Sequence, residues 1–201
     1  KNTVDIKDKF SSIEVKSASD VDVAVKKASG DTSYVEYYDC ENLTHHVDVS
    51  DGVLRITADD SRNVAFNVSI GLYTGAWPSV TVYLADTEYD DLKIVTSSGD
   101  IDMEYYLLVG NIDIEASSGD VTVNGANSDT LTIATRSGNI KIDSASSKDT
   151  RISANSGDVS LGDVVTDNVD LKTSSGNITS GSIKAKRING RASSGDVMIR
   201  D

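Results

Sequence analysis

Acidic and amide side chains recur at a nearly fixed spacing along the second half of the chain, and stacked oxygens of this kind could bind a divalent cation. They follow a repeated Ser-Gly pair and are Asp100, Asp120, Asn139, Asp158, Asn177 and Asp196. Calcium takes about six to eight oxygen ligands, so a column of carboxylates is one chemistry to consider. The alternative is a column of turn residues, because Asp and Asn bond nearby backbone groups and glycine adopts positive φ without steric cost. Beyond Asp120 the acids alternate with Asn, which avoids stacked like charges, so the turn interpretation is favoured.

The other reactive side chains are few. His45 and His46 are the only histidines, and Cys40 is the only cysteine. Neighbouring strand residues point to opposite faces, so the two histidines do not readily chelate one metal, and we expect both to be exposed polar residues. Cys40 lacks a basic or histidine partner close in sequence, which indicates a structural or incidental thiol. No serine is singled out as a nucleophile. The sequence therefore predicts no catalytic, cofactor-binding or metal-binding residue.

The elements that carry these side chains form a regular repeat. Its glycines are Gly99, Gly119, Gly138, Gly157, Gly176 and Gly195, spaced by 20 residues once and by 19 thereafter. Apolar residues stand seven and five positions before the glycine and two and four after it, as Leu92, Ile94, Ile101 and Met103 show. A step of two is the period of a β-strand. Each repeat is thus predicted to hold two short strands separated by a four-residue corner.

A 19-residue repeat is either one coil of a parallel β-helix or one hairpin of an antiparallel meander. In a coil, equivalent residues of successive repeats stack about 4.8 Å apart. Stacking accounts for the alternation of large and small residues three positions before the glycine, at Thr96, Ala116, Thr135, Ala154, Thr173 and Ala192. A meander gives no such reason. We therefore predict an all-β fold, a single-domain parallel β-helix (β-solenoid) with coils of about 19 residues.

The first half of the chain is rich in strand patterns but less regular. Ile13 to Val23 reads like a repeat whose glycine is lost, and Val47 to Ile56 reads like a hairpin with Asp51 and Gly52 at its turn. Alternating patterns also predict strands over residues 64–70 and 80–84, with Trp77-Pro78 as an interruption between them. The whole chain, 1–201, is predicted to be one domain. Residues 1–90 would form irregular strands and a cap over the open solenoid end, and residues 91–201 six regular coils.

Outward-facing strand positions carry mixed charges. Lys93 would stand beside Asp113, and Arg151 beside Asp170, on adjacent coils. Opposite charges facing each other across strands are typical of a solvated sheet face. Some β-helices are polysaccharide lyases or glycosidases that use carboxylates on one face, but here the recurring carboxylates lie at the corners.

Composition excludes several function classes. The net charge of −13 repels phosphate backbones and anionic membranes, which argues against nucleic-acid binding. There is no apolar run long enough for a transmembrane segment. The chain opens at Lys1 without a methionine, and we expect a signal or anchor segment to precede it in the natural protein.

The segments Phe10 to Val15 and Leu92 to Ile101, followed by the serial Ser-Gly-Asp/Asn corners, resemble the bacterial putative-adhesin family of β-strand-repeat proteins of unknown function, related to LiaG-like envelope proteins. The resemblance covers most of the chain and is strongest from Tyr83 onward. It implies a β-helical fold, an extracellular or cell-envelope setting, and no enzymatic activity. It supplies no site residues.

Two functional hypotheses follow. The first is a non-enzymatic bacterial envelope or surface protein that acts as an adhesin or interaction scaffold and has a cell-surface protein or a glycan as its partner. The alternative is a carbohydrate-active β-helix enzyme, a polysaccharide lyase or glycosidase. An unpaired strand edge beside Ile199 also predicts a homo-oligomer through the solenoid ends, or coverage by further sequence.

Overall fold

The computed structural model describes residues 1–18, 20–61 and 78–200, and the structure over these residues is all-β. The predicted strand over residues 64–70, and Trp77, lie outside the described residues. No helix in the described ranges has the length and apolarity needed to cross a bilayer. The strands are β1 (Asn2–Asp5), β2 (Ser12–Lys16), β3 (Asp22–Lys27), β4 (Tyr34–Tyr37), β5 (Leu43–Ser50), β6 (Val53–Asp60), β7 (Ser79–Leu84), β8 (Glu88–Ser98), β9 (Ile101–Met103), β10 (Leu107–Ser118), β11 (Val121–Val123), β12 (Ala126–Ser137), β13 (Ile140–Ser156), β14 (Val159–Ser175), β15 (Ile178–Ser194) and β16 (Val197–Met198).

The repeats form a parallel β-solenoid of about six turns. Strands β8, β10, β12, β13, β14 and β15 pair in parallel, each with the next. Equivalent residues are in register, so that Leu92 lies beside Ile112 and Ile112 beside Leu131. The coil prediction is therefore confirmed, and the meander alternative is wrong.

Each coil turns twice, first at its glycine corner and again at a second bend about midway between two glycine corners. In the later coils only the glycine corner interrupts the strand. Strands β13, β14 and β15 are each 17 residues long, so the prediction of two short strands per repeat is wrong there. Ladder pairing continues through the second bend, from Ser144 beside Asp163 to Thr150 beside Val169. In the first coil that bend does break the strand, and it holds the extra residue of the 20-residue spacing, between Met103 and Leu107.

The corner glycines are fixed by two separate constraints. Their φ angles lie between 129° and 155°, a region that L side chains rarely adopt. A Cβ on Gly157 would also overlap the carbonyl oxygen of Gly138 one coil earlier, and the same is true of Gly176 on Gly157. The corner thus needs glycine both for its own conformation and for the close approach of the next coil.

The first half of the chain supplies two further rungs, which are stacked out of sequence order. Strand β2 pairs in parallel with β8 on one side and with β6 on the other, and β3 lies likewise between β9 and β7. The segment Ile13 to Val23 is therefore a repeat without its glycine, as predicted. Its corner is one residue longer than that of the next coil, because Val15 pairs with Ile94 but Val23 pairs with Ile101. Asp20, at φ 55°, supplies the positive φ there.

Antiparallel strands cover this end of the solenoid. Strand β5 pairs with β6 through the predicted Asp51-Gly52 turn, where both residues have positive φ. Strand β4 pairs with β7, and β1 pairs with β4. Strands β1, β4 and β5 are thus antiparallel additions to the ladder, whereas β2, β3, β6 and β7 belong to the parallel solenoid itself.

A continuous apolar core runs along the solenoid axis from Leu54 at the β6 end to Ile183 on β15. The predicted inward rows are buried except at the C-terminal coil, where Ile188 and Val197 are each 42% exposed. The reason is that over most of its length β15 has a neighbour only on the β14 side within the described residues. In the Thr/Ala row, Thr135 and Thr173 are buried and donate hydrogen bonds to the carbonyl oxygens of Gly119 and Gly157.

Candidate functional site

The corner Asp and Asn side chains form a hydrogen-bonded ladder, which we call the corner ladder: Asp22, Asp100, Asp120, Asn139, Asp158, Asn177 and Asp196. The Oδ1 atom of each member accepts the backbone N–H of the next member, at distances of 2.6 to 3.0 Å. Asn139 and Asn177 donate additional side-chain bonds to the acids before them, at 3.2 and 3.3 Å. The ladder oxygens thus hold successive coils together, which supports the turn interpretation of this column. Within the described ranges no group of three or more His, Cys, Asp or Glu is placed to hold a metal ion.

Charges also alternate along the second bend. Asp129 and Lys148, on adjacent coils, are joined at 2.7 Å, and Asp167 and Lys186 at 2.9 Å. Hydrogen bonding to Asp129 raises the pKa of Lys148. These pairs are largely exposed and contribute little energy individually. They leave the second bend without a concentrated charge of either sign.

The two histidines lie on opposite faces of β5, as predicted, but only one is exposed. His46 is 53% exposed and bonds Asp59 at 3.0 Å. The expectation of exposure is wrong for His45, whose side chain is fully buried with Nδ1 2.9 Å from Asp39 Oδ1. The same carboxylate oxygen accepts the backbone N–H of His45, so Asp39 fixes both the ring and the strand start.

Cys40 is the free cysteine of the β4–β5 connection. Its Sγ atom lies 3.8 Å from the carbonyl oxygen of Glu41, and the side chain packs partly buried against the core. This environment agrees with a structural thiol. Cys40 lies on the connection before β5 and His45 lies within β5, and no hydrogen bond joins the two side chains.

The strand segments directly before the corner glycines form a parallel sheet. Its outward face carries the predicted mixture of charges. Lys93 forms an ion pair with Asp113 and lies 3.5 Å from Glu115, and the hydrogen bond to Asp113 raises the pKa of Lys93. The second predicted pair differs. Arg151 is beside Asp170 in the register, but no ion pair joins them in the described structure. Asp170 binds Lys172 on its own strand at 3.1 Å, because that ammonium group reaches it along the same face.

Two adjoining depressions of about 330 and 340 Å³ form a shallow groove on this face, beside the glycine corners. They share Thr135 and Asn155, so they are continuous along the solenoid axis. We call this feature the basic groove; its charged residues are Glu115, Arg136, Lys172 and Arg191. Lys172 is paired with Asp170 at 3.1 Å and Glu115 lies 3.5 Å from Lys93, so the unpaired positive charge of the groove comes from Arg136 and Arg191, on a chain whose net charge is −13.

A wider cleft of about 600 Å³ lies at the beginning of the coils and has the opposite charge. Its acidic residues are Glu88, Asp90 and Asp129. Tyr89 lines it, stacks on Phe10 with ring centroids 5.7 Å apart, and has its pKa raised to about 12 by burial. Its described lining contains three acids and no cation, although Asp129 is paired with Lys148, so this cleft disfavours anionic ligands.

Sequence reasoning identified the corner ladder from Asp100 to Asp196 but missed its member Asp22, the basic groove and the Asp39–His45 pair. The groove combines residues four positions before the glycine with residues two positions before it, and Arg136 belongs to the second set. Aligning that second row, Ser97, Ser117, Arg136, Asn155, Ser174 and Ser193, was the signal that could have revealed it. The Asp39–His45 contact spans an irregular connection that carries no repeat signal.

Comparison with known proteins supports this architecture. The crystal structure of a putative adhesin from Bacteroides fragilis matches 99% of this chain and 96% of its own, with a TM-score of 0.61 and 16% identity. That of a putative adhesin from Parabacteroides distasonis matches 99% and 95%, with a TM-score of 0.53 and 18% identity. At such identities the likeness shows the fold alone. No curated protein matches the chain. The family model described as Toastrack DUF4097 matches residues 10–200, which confirms the resemblance seen in the sequence, and the chain therefore belongs to the Toastrack DUF4097 family.

Proposed function

We propose that this chain is a non-enzymatic cell-envelope or surface protein that acts as an adhesin or interaction scaffold. The observation that carries the proposal is the use of the repeated polar side chains. Each Asp or Asn of the corner ladder from Asp22 to Asn177 bonds the following coil, so the repeat builds a frame. What differs from coil to coil is the outward side chains, which present a long surface to partners.

The names of structural neighbours support the same proposal. The two solved structures described above, from Bacteroides fragilis and Parabacteroides distasonis, are both named putative adhesins. A protein that binds at the cell surface needs a stable extended surface more than an enclosed pocket. The basic groove and the acidic cleft are both shallow and lie along the solenoid, as such a surface requires.

Binding and turnover measurements test this proposal against the carbohydrate-active alternative. The purified chain is applied to an array of envelope polysaccharides and surface proteins, and the same polysaccharides are incubated with it and analysed for shortened products. We expect saturable binding to at least one member and no change in polymer length. Release of shortened or unsaturated sugars would favour the lyase or glycosidase, and an array without any bound member would contradict the scaffold.

We also propose that copies associate head to tail through the solenoid ends. Residues 178–200 carry five Lys or Arg and one Asp, a net charge of +4, whereas residues 28–61, which contain β4, β5 and β6, carry eight Asp or Glu and one Arg, a net charge of −7. The exposed side chains of Ile188, Val197 and Met198 add apolar surface at the basic end. Opposite charges favour contact between the two different ends over contact between two basic ends.

Sedimentation velocity at increasing protein concentration tests this association. Larger species should appear at low salt and decline at high salt, because ions screen the attraction. The variant Lys186→Glu/Arg187→Glu should remain monomeric, whereas Lys141→Glu/Lys148→Glu, with the same charge change on earlier coils, should associate like the parent. A concentration-independent monomer, or equal behaviour of the two variants, would contradict the proposal.

A further inference from the structure

We propose that the basic groove binds a linear anionic polysaccharide whose chain lies along the solenoid axis. The inference rests on the proposed surface function and names the ligand class and the site. The cations of the groove are Arg136, Lys172 and Arg191, and its one acid is Glu115.

The two arginines are available to an anionic ligand. Neither Arg136 nor Arg191 forms an ion pair within the described part of the chain, and both are exposed. Several lysines of the coils are engaged in ion pairs, as Lys93 is with Asp113 and Lys148 with Asp129. Guanidinium groups suit this task because their planar donors match carboxylate and sulfate oxygens in pairs.

The cations are spaced along the axis rather than clustered. Arg136 belongs to the Gly138 coil, Lys172 to the Gly176 coil and Arg191 to the Gly195 coil. With adjacent strands about 4.8 Å apart, Arg136 and Lys172 are separated by about 10 Å along the axis, and Lys172 and Arg191 by about 5 Å. A small anion would meet one of these groups at a time. A linear polymer with repeated anionic groups can meet both arginines and pass over Lys172, whose ammonium group also binds Asp170 at 3.1 Å.

The rest of the lining is suited to a ligand rich in hydroxyl groups. Ser153, Asn155, Ser174 and Ser193 line the second depression, and no hydrogen bond to another described residue engages their side chains. They offer donors and acceptors to sugar hydroxyls beside the charged groups. The lining contains no aromatic side chain on which nucleic-acid bases could stack, so a polysaccharide fits better than a single-stranded nucleic acid.

The charge distribution on the rest of the surface restricts an anionic polymer to the basic groove. The acidic cleft at the beginning of the coils, with Glu88, Asp90 and Asp129, disfavours an anionic polymer there. The net charge of −13 also disfavours unspecific attachment of polyanions over the whole surface. Binding is therefore expected at the groove and should follow one face of the array.

The test uses polygalacturonate as the probe and its fully methyl-esterified form as the uncharged counterpart with the same backbone. Biolayer interferometry with immobilised protein should show binding of polygalacturonate and little binding of the ester. The variant Arg136→Gln/Arg191→Gln should weaken the affinity by about fivefold to twentyfold, the loss expected from two solvent-exposed ion pairs. Thermal melting of the same samples verifies that the variants fold.

The matched control is Lys141→Gln/Lys186→Gln, which removes the same charge from positions outside the groove. These lysines bind Asp143 and Asp167. Unchanged affinity in the control supports the groove. Equal losses in both variants, equal binding of the methyl ester, or no binding of polygalacturonate would overturn the inference. An oligothymidylate that binds as well as polygalacturonate, and is weakened by the same groove variant, would also overturn it in favour of nucleic acid.

The array of envelope components separates failure of the inference from failure of the proposed function. If the parent chain and Arg136→Gln/Arg191→Gln bind the same array members equally, the surface function stands and the groove is not its site. If the parent binds neither the array nor polygalacturonate, both proposals fail.

Discussion

The two ends of the solenoid close the same apolar core in different ways. At the N-terminal end, β6 pairs with β2 on one side and with the antiparallel strand β5 on the other, and Leu54 beneath is fully buried. At the C-terminal end, β15 pairs with β14 along its length but with the short strand β16 only at its start. Ile188, in a row that is buried elsewhere, is 42% exposed there.

The difference between the two ends shows that a repeated sequence determines how coils stack on one another but not how the last coil is covered. Each regular coil presents the same edge that the next coil needs, so a regular sequence cannot cover its own last edge. The N-terminal end is covered because its sequence departs from the repeat. Strand direction reverses at Asp51-Gly52, and the corner lengthens at Asp20.

The largest expected effect comes from the interior corner glycine. Gly157→Ala should lower the free energy of unfolding by about 4 kcal/mol or more, because Cβ would overlap the Gly138 carbonyl oxygen at φ 150°. Gly195→Ala should cost clearly less, since the last coil can move outward. Urea denaturation measures both. Gly30→Ala, where a Cβ meets nothing within 4 Å, is the neutral control, and equal losses at Gly157 and Gly195 would remove the distinction between interior and end.

Core truncation compares the two ends directly. Leu54→Ala should cost about 3 kcal/mol because the side chain is fully buried beneath the cap, whereas Ile188→Ala should cost less than about 1 kcal/mol because of its exposure. Both values follow from urea denaturation. A cost at Ile188 as large as that at Leu54 would mean that the C-terminal end is covered in solution.

The corner ladder offers a smaller contrast. Asp120→Ala removes the acceptor for the backbone N–H of Asn139 and should cost about 1 kcal/mol. Asp196→Ala should change stability little, because in the described structure no later coil donates to Asp196. Thermal melting compares the two variants. A clear loss from Asp196→Ala would show that a donor meets this side chain in solution.

The smallest expected effect on stability comes from Asp102, whose carboxyl group lies close to other acidic side chains. Burial, with additional repulsion from Glu104 and Asp100, raises the pKa of Asp102. A raised carboxyl pKa means that the folded state binds the proton more tightly than the unfolded state, so this group reduces stability once the pH exceeds that pKa. Asp102→Asn should therefore stabilise the protein at neutral pH, by less than about 0.5 kcal/mol because solvent still screens this half-buried site.

The advantage of Asp102→Asn should disappear as the pH falls below the ordinary carboxyl pKa. Unfolding measured at neutral and acidic pH checks this, with Asp163→Asn, at an exposed position, as the charge-matched control. A gain that grows with acidification would contradict the assigned sign.

The sequence predicts the regular half well because each of its signals is local. Glycine at the corner, alternating apolar residues and a constant spacing determine coil, register and inward face together. The position of β2 between β6 and β8 cannot be predicted in this way. Ile13 pairs with both Leu54 and Leu92, and choosing those partners among similar apolar strands requires the whole fold.

The candidate site was predictable only in part for a related reason. A row of equivalent positions can be recognised by alignment, but the basic groove draws Arg136 from one row and Lys172 from another. The failure at Arg151 is also instructive. The sequence correctly predicted that Asp170 lies beside Arg151. The Asp170 carboxylate nevertheless binds Lys172 on its own strand, because the side chain of Lys172 places its ammonium group within bonding distance.

The hydrogen bonding of the corner ladder has a consequence for the ancestry of the chain. The backbone N–H of each member donates only to the member directly before it, so excising one complete unit, such as residues 139–157, would rejoin Asp120 to Asp158 through the same kind of bond. Gene duplication or deletion of 19 codons therefore preserves the hydrogen bond at each junction between the regular 19-residue coils. Homologues of different length are accordingly expected to differ by whole units among the regular coils, while the cap strands keep a constant number.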